Sequence, residues 1–246
     1  MSLIEQEQPL LHALRPQDRA ALLALGVPRR YEPGAVILPE RATTSHVVAI
    51  TGGWAVVSVT TERGNRLILA LRGAGELVGE LAAMDLRPRS ATVAALGPVA
   101  AVVIPGDRFR GFLAGSPAAS ALVLRQLSSR LRSSDGERRS LASENVLQRL
   151  AARLVELVER TGRRNPDASV TIDLPLPQHD LAASVGSTRE AVAKALRLLR
   201  ERGIVRTASR QLVVTDLEPL RLLAGGGGGD GAGGGSGGPR LPRPGV

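Results

Sequence analysis

A glycine, a carboxylate, an arginine and a serine lie close together in the middle of the sequence. Gly79 and Glu80 begin the segment GELAAM, and Arg89 and Ser90 follow after a short loop. Backbone N–H groups beside a glycine can approach an anion closely, and an arginine can add a bidentate, charge-assisted contact. The Ser90 hydroxyl could donate to the same anion, and the Glu80 carboxylate could accept from a ribose hydroxyl. These residue types suit the phosphate and sugar of a cyclic nucleotide.

The same residues permit a simpler interpretation. Glu80 and Arg89 could form a surface ion pair, which contributes at most about 1 kcal/mol to stability, while the glycines only make turns. Spacing along the sequence does not distinguish this arrangement from an anion site. Both interpretations therefore stay open at this point.

A second group of polar residues falls within 177–203, a segment with the pattern of two helices joined by a tight turn. Gly186 separates the helices, and Ser187 and Glu190 have the S-x-x-E spacing of a capping box that would begin the second helix. An ordinary helical hairpin with a solvated charged face would show the same spacing. Two short strand patterns follow, however, at 204–206 and 211–214 around a basic turn. The whole segment therefore predicts a winged helix-turn-helix.

The second of these helices would carry side chains suited to contacts with DNA. Its apolar residues repeat at helical spacing, which leaves the charged residues off the apolar stripe. Arginine and lysine can donate to guanine, and glutamate can accept from the amino group of cytosine. The predicted DNA contacts are Ser187, Thr188, Arg189, Glu190 and Lys194 on the helix, and Arg206 and Arg210 in the wing.

Composition excludes several other classes of protein. The chain has 246 residues, 43% of them hydrophobic, so it can bury a substantial core. It has no cysteine and only three histidines, far apart in sequence, so we expect no metal ion and no iron-sulfur cluster. A formal net charge of +9 suits a polyanionic partner. No nucleophile, base and orienting residue appear in a pattern typical of an enzyme, so we expect no catalytic activity.

The sequence also lacks the segments that would direct it to a membrane. No apolar run reaches membrane-spanning length, and the N-terminal residues MSLIEQEQPL lack the basic and apolar regions of a signal peptide. We therefore expect a cytoplasmic protein with no membrane partner.

Hydropathy patterns divide the chain into four segments of a predicted α+β fold. Residues 1–115 begin with two short helical patterns and continue with short strand-like runs, typical of a small antiparallel β-roll. Residues 116–145 form one long helical pattern, and residues 146–223 contain a further helical pattern and the winged motif. Residues 224–246 form a glycine-rich tail that cannot bury apolar area, so we expect it to be disordered.

The order of a roll, the GEL and RSA motifs, a long helix and a winged helix-turn-helix resembles the cyclic-AMP receptor protein (Crp/Fnr) family of bacterial transcription regulators, over about residues 5–223. The loop between Glu80 and Arg89 is one residue shorter than in the best-known member. The resemblance implies cyclic AMP as the ligand, with cyclic GMP or no ligand as alternatives. The implied ligand contacts are Gly79, Glu80, Leu81, Arg89 and Ser90 in the roll, and Ser134 and Asp135 in the long helix.

The long helix also predicts a homodimer. Alternating a and d positions of a coiled coil fall on an apolar start and a polar middle. The polar middle could contact the base of a ligand bound to either subunit, as the resemblance implies, or could merely fix the register of the dimer. Gly136 weakens the helix, so a ligand could decide whether this turn forms. The seam positions are Leu124, Leu127, Leu131, Ser134, Arg138, Leu141 and Asn145.

Asp135 departs from the small polar residue usual in the family. It could accept from the adenine amino group, but it could also repel a phosphate or favour another base. As a whole, the resemblance implies a ligand-responsive regulator that binds a palindromic promoter site in double-stranded DNA, and it is compatible with RNA polymerase as a partner. The same DNA-binding regulator could instead sense another small molecule or act without a ligand.

Overall fold

The computed structural model describes residues 8–62, 64, 66–174, 176–208 and 211–225. The predicted wing residue Arg210 lies outside the described residues, and so do residues 226–246 of the predicted tail. The two residues before them, Ala224 and Gly225, end a helix that the sequence patterns did not predict.

The predicted β-roll is present. Helices α1 (Leu10–Ala13) and α2 (Pro16–Ala24) precede it, and helix α3 (Glu80–Asp85) lies between its sixth and seventh strands. The strands are β1 (Val27–Tyr31), β2 (Val36–Leu38), β3 (Val47–Gly52), β4 (Ala55–Thr60), β5 (Arg66–Arg72), β6 (Leu77–Val78), β7 (Thr92–Ala95) and β8 (Val99–Ile104).

These strands pair antiparallel in two sheets of the described chain, with the orders β1-β8-β3-β6 and β2-β7-β4-β5. Apolar residues of both sheets, among them Leu38, Val48 and Val93, share one buried cluster. Strand β1 follows the two short helices directly and was not predicted as a strand, but it pairs with β8 along its whole length. The four residues Val27–Arg30 are exposed, so this strand lacks the alternation of buried and exposed residues that identifies a strand in sequence.

Two long helices follow the roll and a shorter helix, α4 (Gly106–Gly115). Helix α5 (Pro117–Ser143) begins at the Ser116 N-cap, whose hydroxyl accepts from the Ala119 amide, and it runs through Gly136. It ends two residues before the predicted boundary because Glu144 is extended and Asn145 caps helix α6 (Val146–Thr161). Asn145 and Gln148 form a reciprocal capping box there, with bonds of 3.0 and 2.9 Å.

The predicted winged helix-turn-helix occupies the C-terminal part of the described chain. Its elements are β9 (Gly162–Arg164), β10 (Val170–Ile172), α7 (Gln178–Ser184), α8 (Arg189–Glu201), β11 (Val205–Ala208), β12 (Gln211–Val214) and α9 (Glu218–Gly225). Its sheet has the order β11-β12-β10-β9, so the predicted wing strands are joined by a second pair that the sequence patterns missed. Helix α9 ends the described residues.

The capping box predicted from Ser187 and Glu190 is wrong. Thr188 is the N-cap of α8, and its hydroxyl oxygen accepts from the Ala191 amide at 3.2 Å. The Ser187 amide donates to the carbonyl of Ala182, which keeps Ser187 in the turn that ends α7. Two adjacent hydroxyl residues offered two N-cap positions, and the turn geometry selects the second.

The winged helix-turn-helix domain packs directly on the roll. Val56, Ile68 and Leu71 of strands β4 and β5 belong to the same buried cluster as residues of helices α6, α7 and α8. Beside this cluster, Arg66 Nη1 donates to Asp180 Oδ1 at 2.6 Å, and the Asp180 side chain is buried. None of the described helices combines the length and the apolar character that a membrane span needs.

Candidate ligand cavity and nucleic-acid interface

A cavity of about 400 Å³ lies between the roll and helix α5. This volume is within the range of pockets that bind small molecules. Val57, Val78 and Val93 are among its apolar lining residues, and the partly exposed Leu81 and Leu131 lie at its rim. The lining also includes nearly all of the predicted ligand contacts: Gly79, Glu80, Leu81, Arg89, Ser90 and Ser134.

Arg89 is buried and held by acceptors of the polypeptide. Its Nη1 donates to Gly79 O at 2.7 Å, its Nη2 to His46 O at 2.6 Å, and its Nε to Thr44 Oγ1 at 3.3 Å. Burial lowers the pKa of Arg89, and the Glu80 charge opposes that shift. The three acceptors are uncharged, so they do not neutralise the positive charge that the guanidinium brings to the cavity wall.

The charge of Arg89 also reaches a neighbouring histidine. Burial lowers the pKa of His46, and the Arg89 charge lowers it further. His46 therefore favours its neutral form beside the arginine, and it does not compete with Arg89 for an anion.

Glu80 is held by a residue that the sequence analysis did not identify. Arg130 of α5 donates from Nη1 to Glu80 Oε1 at 2.6 Å and from Nη2 to Leu77 O at 3.3 Å. The alternative in which Glu80 and Arg89 pair with each other is therefore wrong. Arg130 precedes Ser134 by four residues, so both lie on one face of a helix, and that spacing could have pointed to it.

The backbone at Gly79 allows Arg89 to come this close. Gly79 has φ +83°, a left-handed conformation that favours glycine. A Cβ atom at this position would lie 2.5 Å from Arg89 Nη1 and 2.8 Å from Leu38 Cδ1. The loop that leads to Arg89 is fixed as well, because the Arg89 amide donates to Ala42 O at 2.9 Å and the Arg41 amide to Arg89 O at 2.8 Å.

The structure separates Ser134 and Asp135, the two residues predicted to contact the base of the ligand. Ser134 lines the cavity, whereas Asp135 is not among its lining residues. The Asp135 side chain is 55% exposed, and its Oδ1 accepts from Arg138 at 3.5 Å. Asp135 therefore faces away from the cavity of its own chain. Glu137, one turn beyond Ser133, does line the cavity and was not predicted.

The outer face of α8 carries the side chains that were predicted to contact DNA bases. Arg189, Glu190 and Lys194 are exposed, while the apolar stripe of α8 is buried against the domain core. Hydrogen bonds from its own backbone amide and from the Thr188 hydroxyl lower the pKa of Glu190. The carboxylate is therefore favoured in its ionised form, the form that can accept from the amino group of a base.

In the wing, Arg206 is hydrogen-bonded to an acidic side chain and to a serine. Arg206 is exposed, and its Nη2 donates to Asp167 Oδ2 at 3.0 Å and to Ser169 Oγ at 3.3 Å. The hydrogen bond from the Ser169 hydroxyl is the largest cause of the lowered pKa of Asp167. No group of acidic or histidine side chains among the described residues is arranged to hold a metal ion.

Comparisons with known proteins agree with this arrangement. A model of the cyclic nucleotide-binding domain matches residues 28–116, and a model of the Crp-like helix-turn-helix domain matches residues 148–223. The chain is 29% identical over 212 residues to a CRP-like cAMP-activated global transcriptional regulator of Mycobacterium tuberculosis, which covers 86% of this chain and 94% of that protein. It is 27% identical to a cyclic AMP receptor protein of Thermus thermophilus, over 89% of this chain and 97% of that protein.

Solved structures show the same fold. A transcriptional regulator of the CRP/FNR family from Thermus thermophilus superposes with a TM-score of 0.68 and 26% identity, covering 80% of this chain and 98% of that chain. A global regulator of Xanthomonas campestris described as responsive to c-di-GMP has a TM-score of 0.74 at 20% identity, covering 82% of this chain and all of that chain. With its nucleotide-binding roll joined to a Crp-like DNA-binding domain, the chain belongs to the Crp/Fnr family of transcription regulators and is not an enzyme.

Proposed function

We propose that this protein is a homodimeric transcription regulator of the cytoplasm whose binding to promoter DNA is controlled by cyclic AMP. The proposal depends on one observation, the convergence of Arg89, Ser90, Glu80 and Ser134 on a single cavity. In this arrangement the phosphate would bind to Arg89 and Ser90, and the ribose would contact Glu80. The base would lie towards Ser134 on α5. RNA polymerase is the expected partner at the promoter.

The outer face of α5 supports the dimer. Leu124, Leu131 and Leu141 of this helix are 59%, 64% and 47% exposed, which is a high exposure for large apolar side chains. Leu124 and Leu131 are seven residues apart, as the a positions of a coiled coil are. A partner helix on this face would cover them and would close the rim of the cavity at Leu131.

In a dimer, ligand binding would be coupled to DNA binding through a shift in the populations of two conformations. A ligand that binds more tightly when two α5 helices are paired in one orientation would favour that orientation. The best-studied helix-turn-helix dimers place their recognition helices in successive major grooves, about one DNA turn apart. The helix α8 would then contact each half-site with Arg189, Glu190 and Lys194.

Titration calorimetry of the full chain with cyclic AMP, cyclic GMP and cyclic di-GMP tests the ligand. We expect cyclic AMP to bind most tightly, and the affinity of the protein for a palindromic DNA fragment to rise in its presence. Tighter binding of cyclic di-GMP would support the second candidate, a regulator like the Xanthomonas protein of the same fold. No binding of the three nucleotides would contradict the proposal.

We expect the Asp135→Ala substitution to change the ratio of the cyclic AMP and cyclic GMP affinities more than it changes dimerisation. Asp135 does not reach the cavity of its own chain, so in the proposed dimer it would contact the ligand of the partner subunit. Paired nucleotide titrations and sedimentation equilibrium measure the two effects. A variant that loses dimer stability and keeps the same nucleotide ratio would show that Asp135 only fixes the register.

We expect the Arg189→Ala substitution to cost about 1 to 3 kcal/mol of DNA-binding free energy and to relax one base position of a site whose half-sites resemble TGTGA. Lys194 cannot form the bidentate contact of an arginine, so the base that it contacts should be less strictly specified. Selection of binding sites from random DNA, with the wild type and the variant, measures the preference at each position. The matched control is Arg206→Ala, which should weaken all sequences alike. Enrichment of the same bases by the wild type and Arg189→Ala would show that Arg189 does not contact bases.

A further inference from the structure

Helix α6 carries a buried arginine that belongs neither to the cavity lining nor to the DNA-binding face. The Arg153 side chain is only 1% exposed. Its Nη2 donates to Ser184 O at 2.9 Å, and its Nη1 donates to Glu156 one turn further along α6. Because burying a charge is costly, a residue of this kind is expected to have a specific role or a strongly favourable set of partners.

The set of partners is incomplete. Arg153 Nε is a buried donor with no hydrogen-bond partner within the described part of the chain, and Glu137 Oε1 is a buried acceptor in the same situation. Each charge shifts the pKa of the other, so Glu137 on α5 and Arg153 on α6 lie near enough to attract each other. A buried donor and a buried acceptor of opposite charge therefore lie within electrostatic reach on successive helices, and each unsatisfied atom is unfavourable.

Glu137 and Arg153 also contact the two parts of the protein that the proposed function connects, the ligand cavity and the helix-turn-helix. Glu137 lines the ligand cavity on α5. Ser184, which accepts from Arg153, is the last residue of α7 and precedes the turn that leads into α8. A single pair of side chains thus connects the cavity wall with the first helix of the DNA-reading motif.

A ligand would alter the Glu137 carboxylate by removing water from its cavity side. Burial already raises the pKa of Glu137, and the Glu156 charge raises it further while the Arg153 charge opposes the shift. A carboxylate that loses more of its hydration gains more from a charged donor. Arg153 Nε is the nearby donor that lacks an acceptor.

We propose that occupancy of the cavity closes a hydrogen bond between Glu137 and Arg153 Nε, and that this bond repositions α7 through Ser184. The inference depends on the proposed function, because the ligand in the cavity is what closes the bond. Glu137 and Arg153 are then positioning residues that transmit ligand occupancy to α8 without touching DNA. Because Arg153 Nη2 donates to Ser184 O at the end of α7, a shift of the guanidinium would move this end of α7 with it.

A double-substitution cycle on the full chain tests the proposal. The variants are Glu137→Met, Arg153→Met and the double variant, and the measured quantity is the ratio of DNA affinities with and without saturating cyclic AMP. Coupling between sites is typically about 5- to 150-fold. We expect each single variant to reduce that ratio by about fivefold or more, and the double variant to match the single ones. Additive losses, or an unchanged ratio in Glu137→Met, would overturn the proposal.

The matched control is Glu159→Met, which makes the same substitution on the exposed side of α6, where Glu159 pairs with Arg221. It should leave the ratio as in the wild type. Apolar replacement of both partners of a buried ion pair is often neutral in stability, which favours folding of the double variant, whereas each single substitution leaves a charge buried and should lower stability. Circular dichroism before each titration checks this, and Glu137→Gln with Arg153→Gln provides a second pair if either methionine variant unfolds.

Hydrogen exchange separates this inference from the identity of the ligand. Because coupling is reciprocal, DNA binding alone should change amide exchange in α5 around Glu137, and Arg153→Met should abolish that change. This measurement needs no nucleotide. If none of the nucleotides binds but DNA still alters exchange in α5 through Arg153, the ligand assignment fails and the connection stands. If DNA alters α5 equally in the wild type and in Arg153→Met, the connection fails.

Discussion

The Arg89→Ala substitution should lower the affinity for cyclic AMP by more than tenfold and should also destabilise the roll. Removal of a charge-assisted contact to the phosphate costs on the order of 1.5 to 3 kcal/mol. The sequence alone suggests that the fold would stay intact, but in the structure Arg89 donates to Gly79 O, His46 O and Thr44 Oγ1. The variant leaves these acceptors without their donor, so its melting temperature should fall as well.

Calorimetry below the unfolding transition and a thermal melt separate the two effects of this substitution. Arg89→Lys keeps the charge but loses the fork that holds two carbonyl groups, so it should retain more affinity than Arg89→Ala. Ser90→Ala is the matched control for the phosphate, because Ser90 lines the cavity but is exposed. It should weaken binding without lowering stability. If Arg89→Ala bound cyclic AMP as tightly as the wild type, the phosphate assignment would be wrong.

The Gly79→Ala substitution should disrupt the same site through the backbone. The new Cβ would lie 2.5 Å from Arg89 Nη1 and 3.1 Å from His46 O, so the guanidinium would have to move away from its present acceptors. The left-handed conformation adds strain of order 1–3 kcal/mol. We expect more than a tenfold loss of nucleotide affinity together with a lower melting temperature, measured by calorimetry and a thermal melt.

Gly34→Ala isolates the conformational part of this effect. Gly34 has φ +81°, close to that of Gly79, but a Cβ there would meet no heavy atom within 4 Å. Its substitution should cost stability without loss of nucleotide affinity. Equal affinities in Gly79→Ala and the wild type would show that close packing at Gly79 does not position Arg89.

The sequence was most informative where the pattern is local. The roll strands from β2 to β8 were mostly found because Gly, Pro and Asn turns bound short apolar runs, and the helix-turn-helix was found because α8 has a regular apolar stripe. Strand β1 was missed because its residues are exposed and include Pro28. Helix α9 was missed because its short apolar stripe adjoins the glycine-rich segment.

Contacts between distant segments were not predictable in the same way. Arg89 was identified from a motif, but its acceptors His46 and Thr44 lie more than 40 residues earlier in the chain. Arg130 holds Glu80 across 50 residues, and its four-residue spacing from Ser134 on α5 was the one local clue to it. The electrostatic attraction between Glu137 and Arg153 joins two different helices, and no spacing in the sequence indicates it.

The shared core of the roll and the DNA-reading domain limits how the two can be recombined. Val56, Ile68 and Leu71 pack in one core with the DNA-binding domain, and Arg66 pairs with the buried carboxylate of Asp180. A chimaera that joined this roll to the DNA-reading domain of a relative at the end of α5 would inherit a mismatched surface on β4 and β5. Exchange of specificity between relatives would therefore require the β4–β5 face to be transplanted together with the reader, or only the exposed residues of α8 to be changed.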